Sequence, residues 1–320
     1  MNTMRNKNGL KLMKCIVLLW LLAAGPGLYA VDVEFPLVQS MAYFPYSDHH
    51  TLGKGGFSLS LDMFYSNVYM YDFQRTTIND METWSNILGF RYGISHRVTV
   101  ELYYRTMVVY GGVMDKLIID FHKLFGMTEG GRKDYPRNRV NYRYKDIFSY
   151  DKSLFTQAPL VLGMVGNLCR AGNFSINGRA AVGIPVAPKP GFSSSKPFYT
   201  AGVIFSYQKK NGKLSIDFSN HISFFTKPTW LFKEDLRGNI FLSDLRVNYR
   251  KVFGGLGYRG TPFKTGDLSN NAYLIYIGFK FLKHFEFSMV EEFPPVDTTP
   301  DVSFNLKIQV LSLLGPRYFR

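Results

Sequence analysis

Apolar and polar residues alternate with a period of two along most of the chain. Residues 302–310 give the clearest case, because Val302 and Phe304 share one parity while Ser303 and Asn305 share the other. Successive side chains of a β-strand point to opposite faces, so each such segment has one apolar and one polar face. The pattern predicts an all-β fold with about twelve strands, over residues 56–68, 84–92, 97–110, 156–168, 174–186, 197–208, 214–225, 239–250, 253–260, 271–281, 285–291 and 302–310.

The lengths of the segments and of their connections indicate where the apolar face points. The segments are about ten residues long, as a tilted strand crossing a bilayer must be, whereas strands of soluble sheets have about five or six. The connections alternate between tight turns, such as 93–96, and long loops, such as 111–155. Short periplasmic turns and long extracellular loops are typical of outer-membrane barrels. We therefore predict a closed antiparallel transmembrane β-barrel, with a secreted soluble β-protein as the alternative.

The start of the chain has the features of an export signal. Four basic residues precede residue 15, an apolar run extends from Cys15 to Ala24, and Ala30 stands at a suitable cleavage position. The apolar run is about half as long as a membrane-spanning helix, as in a secretory signal peptide. The expected location of the mature protein is the bacterial outer membrane. The predicted layout is a signal peptide over 1–30 cleaved near Ala30, an N-terminal periplasmic segment over 31–55, the barrel over 56–310 with its long loop at 111–155, and a C-terminal tail over 311–320.

Composition and charge narrow the range of partners. The chain has 38 Lys and Arg against 24 Asp and Glu, but four of the basic residues belong to the signal peptide and many others fall in long loops. No basic stripe interleaved with aromatic residues remains, so we expect no nucleic-acid partner. Aromatic residues make up 16% of the chain, and rings at strand ends suit the headgroup level of a membrane. The expected partners are outer-membrane lipids and lipopolysaccharide, the barrel-assembly machinery during insertion, and a small-molecule solute.

The long loop at 111–155 contains a predicted short helix. Apolar residues at helical spacing, among them Val113 and Phe121, are followed by Gly126 at a helix-stop position. The helix has three alternative placements: it constricts the barrel mouth, it lies on the membrane surface, or it caps the rim. The candidates for a constriction are Phe121, His122, Phe125 and Arg132. The basic stretch over 129–152 either pairs with lipopolysaccharide phosphates or stays solvated.

Part of this loop resembles a known family. The run from Asp120 to Gly126, followed by Gly130-Gly131-Arg132, is similar to the signature segment of a domain-of-unknown-function family of Gram-negative outer-membrane β-barrel proteins. The resemblance extends loosely over most of the mature chain. It implies a fold and a location, and it supplies no activity and no catalytic residues.

Polar residues of the alternating segments lie opposite the apolar ones, which places them in the lumen of a membrane barrel. Both signs of charge occur there, so cross-strand ion pairs can stiffen an interior wider than that of an eight-stranded barrel. The predicted lumen-facing residues are Asp62, Glu101, Arg105, Arg179, Asp217, His221, Asp244, Arg246, Lys280, Glu286 and Lys307. The leading hypothesis is a narrow channel or transporter for a small solute, with the helix-bearing loop as its constriction. The alternative is a non-conducting surface or structural barrel that contacts lipopolysaccharide or a partner.

Sequence motifs for enzyme chemistry are missing. The chain has no phosphate-binding glycine loop, no His cluster with metal-ligand spacing and no nucleophile elbow, so we expect no cofactor and no metal. Asp217, His221 and Ser223 share one strand face, which raises the hypothesis of an outer-membrane lipid hydrolase. Residues two apart on a strand are about 6.6 Å apart along the chain, too far for a direct Ser–His hydrogen bond unless the side chains lean together. Ordinary polar lumen residues are therefore the better interpretation of these three side chains, and the hydrolase ranks third, behind the channel and the non-conducting barrel.

Overall fold

The chain folds mainly as long β-strands. The computed structural model describes residues 50–71, 77–126, 138–144, 146–193, 195–209, 212–225, 239–260, 264–265, 268–269, 272–281, 284–293 and 301–313. The long strands are β1 Phe57–Tyr71, β2 Thr77–Gly93, β3 Val98–Tyr110, β4 Leu160–Ala171, β5 Phe174–Ile184, β6 Phe198–Gln208, β7 Leu214–Phe225, β8 Ile240–Tyr249, β9 Val252–Gly260, β10 Ala272–Phe281, β11 Phe285–Phe293 and β12 Asp301–Leu313. The predicted signal peptide lies outside the described residues.

The twelve long strands form one closed ring. Each strand pairs antiparallel with the strands before and after it, and β12 pairs with β1, where Asp62 stands opposite Lys307. Closure gives every long strand a neighbour on both sides, which a sheet in lipid requires because no water is available to satisfy its backbone groups. The prediction of a closed antiparallel barrel with twelve strands is confirmed.

Burial alternates along the strands and separates lumen from outer wall. In β3, Thr99, Glu101 and Arg105 are buried, whereas Val100 and Leu102 between them are only partly buried. Polar residues on the buried parity face the lumen, and apolar residues on the other parity form the outer wall. This inverts the pattern of a soluble protein, and lipid is the solvent that favours it.

Several strands extend beyond their predicted ends, and β2 and β12 do so for different reasons. β2 begins at Thr77, although the sequence pattern predicts a connection there. The period-two signal is hidden in this part of β2 because both faces are buried, and the outward-facing Glu82 is as fully covered as its inward-facing neighbour Thr83. β12 continues to Leu313, into the predicted tail, because it pairs there with Phe57 of β1.

The loop after β3 contains a helix and a small hairpin. Helix α1 spans Met114–Phe125, so the prediction of a short helix in this loop is confirmed. Two short strands, Asn141–Tyr144 and Phe148–Tyr150, form the hairpin, and the first of them pairs with the extension of β2. A third short strand, Leu154–Gln157, pairs with the end of β3. Among the residues that the structure describes, no helix is long and apolar enough to cross a membrane.

Candidate functional site

The lumen is charged in its periplasmic half and contains a large apolar cluster in its extracellular half. The buried residues of β3 illustrate the change, since they run from Thr99 and Glu101 through Arg105 to Met107 and Val109. β3 begins at a short turn and ends at the long loop, so Thr99 is near its periplasmic end and Val109 near its extracellular end. The candidate site is therefore the whole lumen, and its two halves differ in chemistry.

One wall of the periplasmic half carries a row of alternating charges. Lys280, Glu286, Lys307 and Asp62 stand opposite one another on the neighbouring strands β10, β11, β12 and β1. The Lys280 Nζ–Glu286 Oε1 distance is 3.0 Å and the Lys307 Nζ–Asp62 Oδ2 distance is 3.9 Å. Opposite charges on directly facing residues stabilise the pairing of their strands. All four residues are among the predicted lumen-facing residues.

Arg246 extends this row across the lumen from β8. Its Nη2 atom is 3.0 Å from Glu286 Oε2 on β11, and two strands separate these residues in the ring. The guanidinium carbon also lies 4.0 Å from the ring centroid of Phe253 on β9, a cation–π contact. A contact that skips two strands must pass through the interior, which shows that Arg246 points into the lumen.

A glycine on β9 allows a second contact between strands that are not neighbours, from β10 to β8. The Tyr276 hydroxyl donates to Asp244 Oδ1 over 3.0 Å, from β10 to β8. Gly255 lies between them on β9, and a Cβ atom there would collide with the Tyr276 hydroxyl group. Glycine at this position therefore lets the tyrosine lie flat across the inner wall.

A second ion-pair network occupies the adjoining part of the wall, on β2, β3 and β5. Glu101 of β3 accepts from Arg91 Nε of β2 over 2.8 Å and from Arg179 Nη2 of β5 over 3.0 Å. Arg179 reaches Glu101 across β4, where Gly163 has no side chain to obstruct it. The carboxylate is thus shared by two guanidinium groups, and all three side chains are buried. Charge-assisted hydrogen bonds of this kind are among the stronger ones in proteins.

The chain ahead of β1 enters the lumen at its periplasmic end. The Leu52 N–H donates to Thr99 Oγ1 over 2.8 Å, and Arg91 Nη2 donates to the His50 carbonyl over 2.6 Å. His50 Nε2 also lies 3.7 Å from Asp217 Oδ1 on β7. Residues 50–52, near the end of the predicted periplasmic segment over 31–55, therefore lie against the inner wall of the barrel.

An aromatic cluster crosses the extracellular half from wall to wall. The hairpin of the long loop contributes Tyr142, Tyr144 and Phe148, and the β5–β6 loop contributes Phe192. The Tyr142 ring centroid is 4.8 Å from that of Phe148 and 4.9 Å from that of Phe192, both in edge-to-face geometry. Val140, just before the hairpin, also belongs to the cluster. The wall strands contribute the other members from two sides of the ring: Val68, Met81, Met107 and Val109 on β1–β3, and Ile240, Leu242, Phe253, Leu274, Tyr276 and Val290 on β8–β11.

The two loops that meet in this cluster are joined by hydrogen bonds. The Tyr142 hydroxyl donates to the Gly191 carbonyl over 2.7 Å, and the Tyr150 hydroxyl donates to the Pro190 carbonyl over 3.1 Å. Gly191 has a φ of 80°, and a Cβ atom there would collide with Phe148 and Tyr142. Burial raises the pKa of the Tyr142 phenol well above its ordinary value, so the hydroxyl remains a donor.

Helix α1 lies on the outer face of the barrel and not in its mouth. Met114 and Ile118 pack in a cluster with Tyr65, Phe304 and Val302, all on the outward parity of β1 and β12. The structure therefore differs from the expectation that the helix constricts the lumen. An amphipathic pattern fits an outer wall as well as a pore, because both present an apolar surface to the helix.

The placement of α1 decides where the predicted constriction residues on this helix lie. Phe121 is 38% exposed on the helix outside the barrel. The side chains of His122 and Phe125, and the whole of Arg132, lie outside the described residues. In the structure, the aromatic hairpin that follows the helix fills the mouth.

Polar contacts hold the N-terminus of α1 against the wall. The Glu82 carboxylate accepts hydrogen bonds from the Met114 N–H and the Tyr65 hydroxyl. A carboxylate at a helix N-terminus interacts favourably with the helix dipole and satisfies an N–H group that has no partner within the helix. Asp115 adds a second tie, since its carboxylate accepts from Asn67 Nδ2 over 3.3 Å.

The proposed hydrolase residues are not arranged as a catalytic triad. Ser223 Oγ bonds with Thr200 Oγ1 at 3.2 Å and donates to the Tyr199 carbonyl over 3.4 Å. His221 stands opposite Gly202, where a Cβ atom would collide with the imidazole. Asp217 faces His50 at the periplasmic end. Among the described residues, no group of three His, Cys, Asp or Glu is placed to hold a metal ion.

The structure brings the predicted lumen residues together on the inward parity. Glu101 and Arg179 share one network, Arg246 and Glu286 share another, and the Arg105 guanidinium lies 5.8 Å from the Phe64 ring centroid. Lys280 and Glu286 are partly buried and the other nine are buried. The residues that fill the mouth were not predicted from the sequence. Their signal was present as period-two alternation over 141–144 and 148–150, in the part of the long loop that was interpreted only by its charge.

Comparison with protein families identifies this barrel. The family described as protein of unknown function (DUF3187) matches residues 11–223, which is more than half of the chain. The chain belongs to the DUF3187 family. The resemblance of its loop segment to such a family is therefore confirmed. A search of curated proteins gives no match.

Solved structures similar to this DUF3187 protein are outer-membrane barrels. The COG4313 outer membrane channel from Pseudomonas putida F1 is 10% identical, with 83% of this chain and 100% of that chain covered and a TM-score of 0.51. The KdgM porin is 8% identical, with 78% and 98% covered and a TM-score of 0.41. The P. putida toluene transporter TodX is 9% identical, with 88% and 98% covered and a TM-score of 0.35. The first of these supports a common barrel fold, and the predicted location in the outer membrane is confirmed.

Proposed function

We propose that this DUF3187 protein is a gated channel for a small solute. The observation that carries the proposal is that two segments outside the barrel wall fill the lumen. Residues 50–52 occupy its periplasmic half, and the hairpin over 141–150 occupies its extracellular half. Displacement of both segments would leave a passage lined by the inward faces of twelve strands, narrower than a sixteen-stranded porin.

The charges that line this passage are balanced, so we expect little preference between anions and cations. Where the structure describes the side chains, the inward face carries seven basic and five acidic residues, and most of them are engaged in the ion pairs described above. They are Arg91, Arg105, Arg179, Arg246, Arg259, Lys280 and Lys307 on the basic side, and Asp62, Glu101, Asp217, Asp244 and Glu286 on the acidic side. Glu292 of β11 and Asp301 of β12 stand opposite each other on the same inward parity, which brings the acidic count to seven as well. Rings of one sign of charge select ions, whereas equal numbers of both signs do not.

The register of β3 with the short strand Leu154–Gln157 shows how the long loop can be deleted to test the proposal. Val109 of β3 stands directly opposite Leu154, so a tight turn can join the two strands if residues 111–152 are removed. We expect this loop-deletion variant, from which residues 31–52 are also removed so that neither segment fills the lumen, to pass larger and steadier single-channel currents in planar bilayers than the wild type. A KCl gradient across the bilayer should give a reversal potential close to zero, because the inward face carries equal numbers of basic and acidic residues.

The matched control alters the same loop but not the lumen. Leu117→Ser on α1 lies outside the barrel, so its currents should equal those of the wild type. The proposal is abandoned if the loop-deletion variant has a normal β-sheet circular dichroism spectrum in vesicles and passes no current.

A second candidate function is a non-conducting barrel at the cell surface. The observation that favours it is the density of the lumen, since the aromatic cluster and the Glu101 network are buried contacts between non-neighbouring strands. This candidate predicts a folded loop-deletion variant without current. It also predicts unchanged envelope permeability in cells that lack the protein.

A further inference from the structure

Helix α1 has an apolar stripe that faces away from the barrel. Val113, Leu117 and Leu124 are 74%, 60% and 78% exposed. Because successive residues of an α-helix are separated by about 100°, Leu117 and Leu124 share an arc of roughly 20° on α1, and Val113 immediately precedes the helix. Met114 and Ile118, which pack on the wall, lie beyond one edge of that arc. The helix therefore has two adjacent apolar surfaces, of which the barrel covers one.

The contacts of Asp115 define which way the stripe points. Asp115 is on the opposite side of the helix from the stripe, and its carboxylate accepts from Asn67 Nδ2 over 3.3 Å and from the Asn138 N–H over 2.7 Å. Asn67 is two residues beyond Tyr65 along β1 in the extracellular direction. Since the Asp115 side faces the extracellular end of the strand, the stripe faces the membrane.

The aromatic residues of the outer wall give the height of α1. Tyr65 stands opposite Trp84 on β2, and its ring stacks with Tyr110 of β3 at a centroid distance of 6.2 Å. Such an outward-facing aromatic group marks the boundary between hydrocarbon and headgroups. Met114 and Ile118 pack at the level of Tyr65, so α1 lies at this boundary.

Two lysines lie beyond the other edge of the stripe. Lys116 and Lys123 are exposed about 100–120° from Leu117 around the helix, and the exposed Asp120 lies between them and the stripe. From the wall outward, the helix thus presents a barrel-facing surface, an apolar stripe and a pair of lysines. This order matches a lipid that has acyl chains next to phosphate groups, as in helices that lie in a membrane interface.

We propose that α1 is a binding surface for the lipid A part of lipopolysaccharide. The acyl chains pack on Val113, Leu117 and Leu124, and the lipid phosphates pair with Lys116 and Lys123. The inference concerns the outer surface of the barrel, so it holds whether or not the lumen conducts.

Spin labels at neighbouring positions test the proposal. Leu117→Cys and Lys116→Cys, each with Cys169→Ser, are labelled with a nitroxide in vesicles of phosphatidylcholine with and without lipid A. Collisions with oxygen report hydrocarbon, and collisions with a water-soluble nickel complex report water. We expect the label at residue 117 to favour oxygen and the label at residue 116 to favour nickel. Lipid A should reduce nickel access at residue 116.

Charge variants separate lipid A from membrane contact in general. Lys123→Gln should weaken the effect of lipid A on the label at residue 116, whereas Asp120→Asn should preserve it. Equal nickel access at residues 116 and 117 would overturn the proposal, as would a label at residue 117 that neither reagent reaches, since that indicates a protein partner. A lipid A effect that is unchanged in Lys123→Gln would overturn the role of the lysines.

Discussion

Replacing Glu101 by glutamine tests how much the lumen ion pairs stabilise the barrel. Glu101 is shared by Arg91 and Arg179, and the Arg179 and Glu101 side chains are 1% and 2% exposed. The substitution keeps the size of the side chain and removes the negative charge between two buried guanidinium groups. Breaking a buried ion pair from one side costs about 3–5 kcal/mol. We therefore expect Glu101→Gln to lower the free energy of unfolding by about that amount.

The row of charges on β10, β11, β12 and β1 provides a control at the same distance. Lys280 Nζ and Glu286 Oε1 are 3.0 Å apart, as are Arg179 Nη2 and Glu101 Oε1, but the Lys280 and Glu286 side chains are 39% and 21% exposed. Exposed pairs contribute about 0–1 kcal/mol, so Lys280→Met should have little effect. The two pairs have the same distance, but Lys280→Met leaves Glu286 paired with Arg246, whereas Glu101→Gln removes the carboxylate that two buried guanidinium groups share.

Urea unfolding in phosphatidylcholine vesicles, followed by tryptophan fluorescence, measures both variants. The midpoint and slope give the free energy of unfolding if the transition is two-state and reversible. Adding Arg179→Gln to Glu101→Gln should recover part of the loss, because it removes one of the two uncompensated charges. Equal losses for Glu101→Gln and Lys280→Met would refute the reasoning.

Three further predictions concern the segments that fill the lumen. In a Cys169→Ser background, Leu52→Cys should react with a bulky maleimide on the order of tenfold more slowly than Lys54→Cys, because Leu52 is buried and Lys54 exposed; equal rates would contradict the lumenal position. Tyr142→Ala should destabilise the folded barrel by about 3–5 kcal/mol and Tyr142→Phe by about 1 kcal/mol, since only the former opens a cavity; similar urea midpoints would count against the packing of the cluster. Because burial raises the pKa of Tyr142 in the folded state, its contribution to stability is complete below pH about 10 and falls as the pH rises further. Tyr142→Phe should therefore make the urea midpoint less dependent on pH in that range, and an unchanged dependence would contradict the assignment.

The barrel was predictable from the sequence because lipid imposes a simple rule on it. Every strand must present apolar residues outward, so the alternation over 97–110 and 302–310 is nearly complete. Strand length then separates a membrane barrel from a soluble sandwich. The pattern fails where that rule no longer applies, as at Glu82, which faces outward but is covered by the long loop.

The filling of the lumen was not predictable, because alternation does not specify a partner. Tyr142 and Tyr144 have the same period as a wall strand, and only the pairing of their strand with β2 directs them inward. The helix poses the same problem, since the apolar spacing of Met114 and Ile118 fits a pore, a rim or an outer wall equally well. Long-range contacts of this kind are set by the whole fold.

The N-terminal segment inside the lumen restricts the order in which the barrel can be assembled. The ring closes through β1 and β12, where Ser58 and Gln309 are 251 residues apart and their side chains hydrogen-bond at 3.1 Å. Pairing at such a sequence separation is slow, because the entropy of a very long loop is lost before its contacts form. The chain around Leu52 must therefore take one of two routes. Either it lies on the inner face of the open sheet before β12 pairs with β1, or it inserts through the periplasmic end after the barrel has closed. In the first case the segment acts as an internal template, and barrels assembled without it would close more slowly or with a different number of strands.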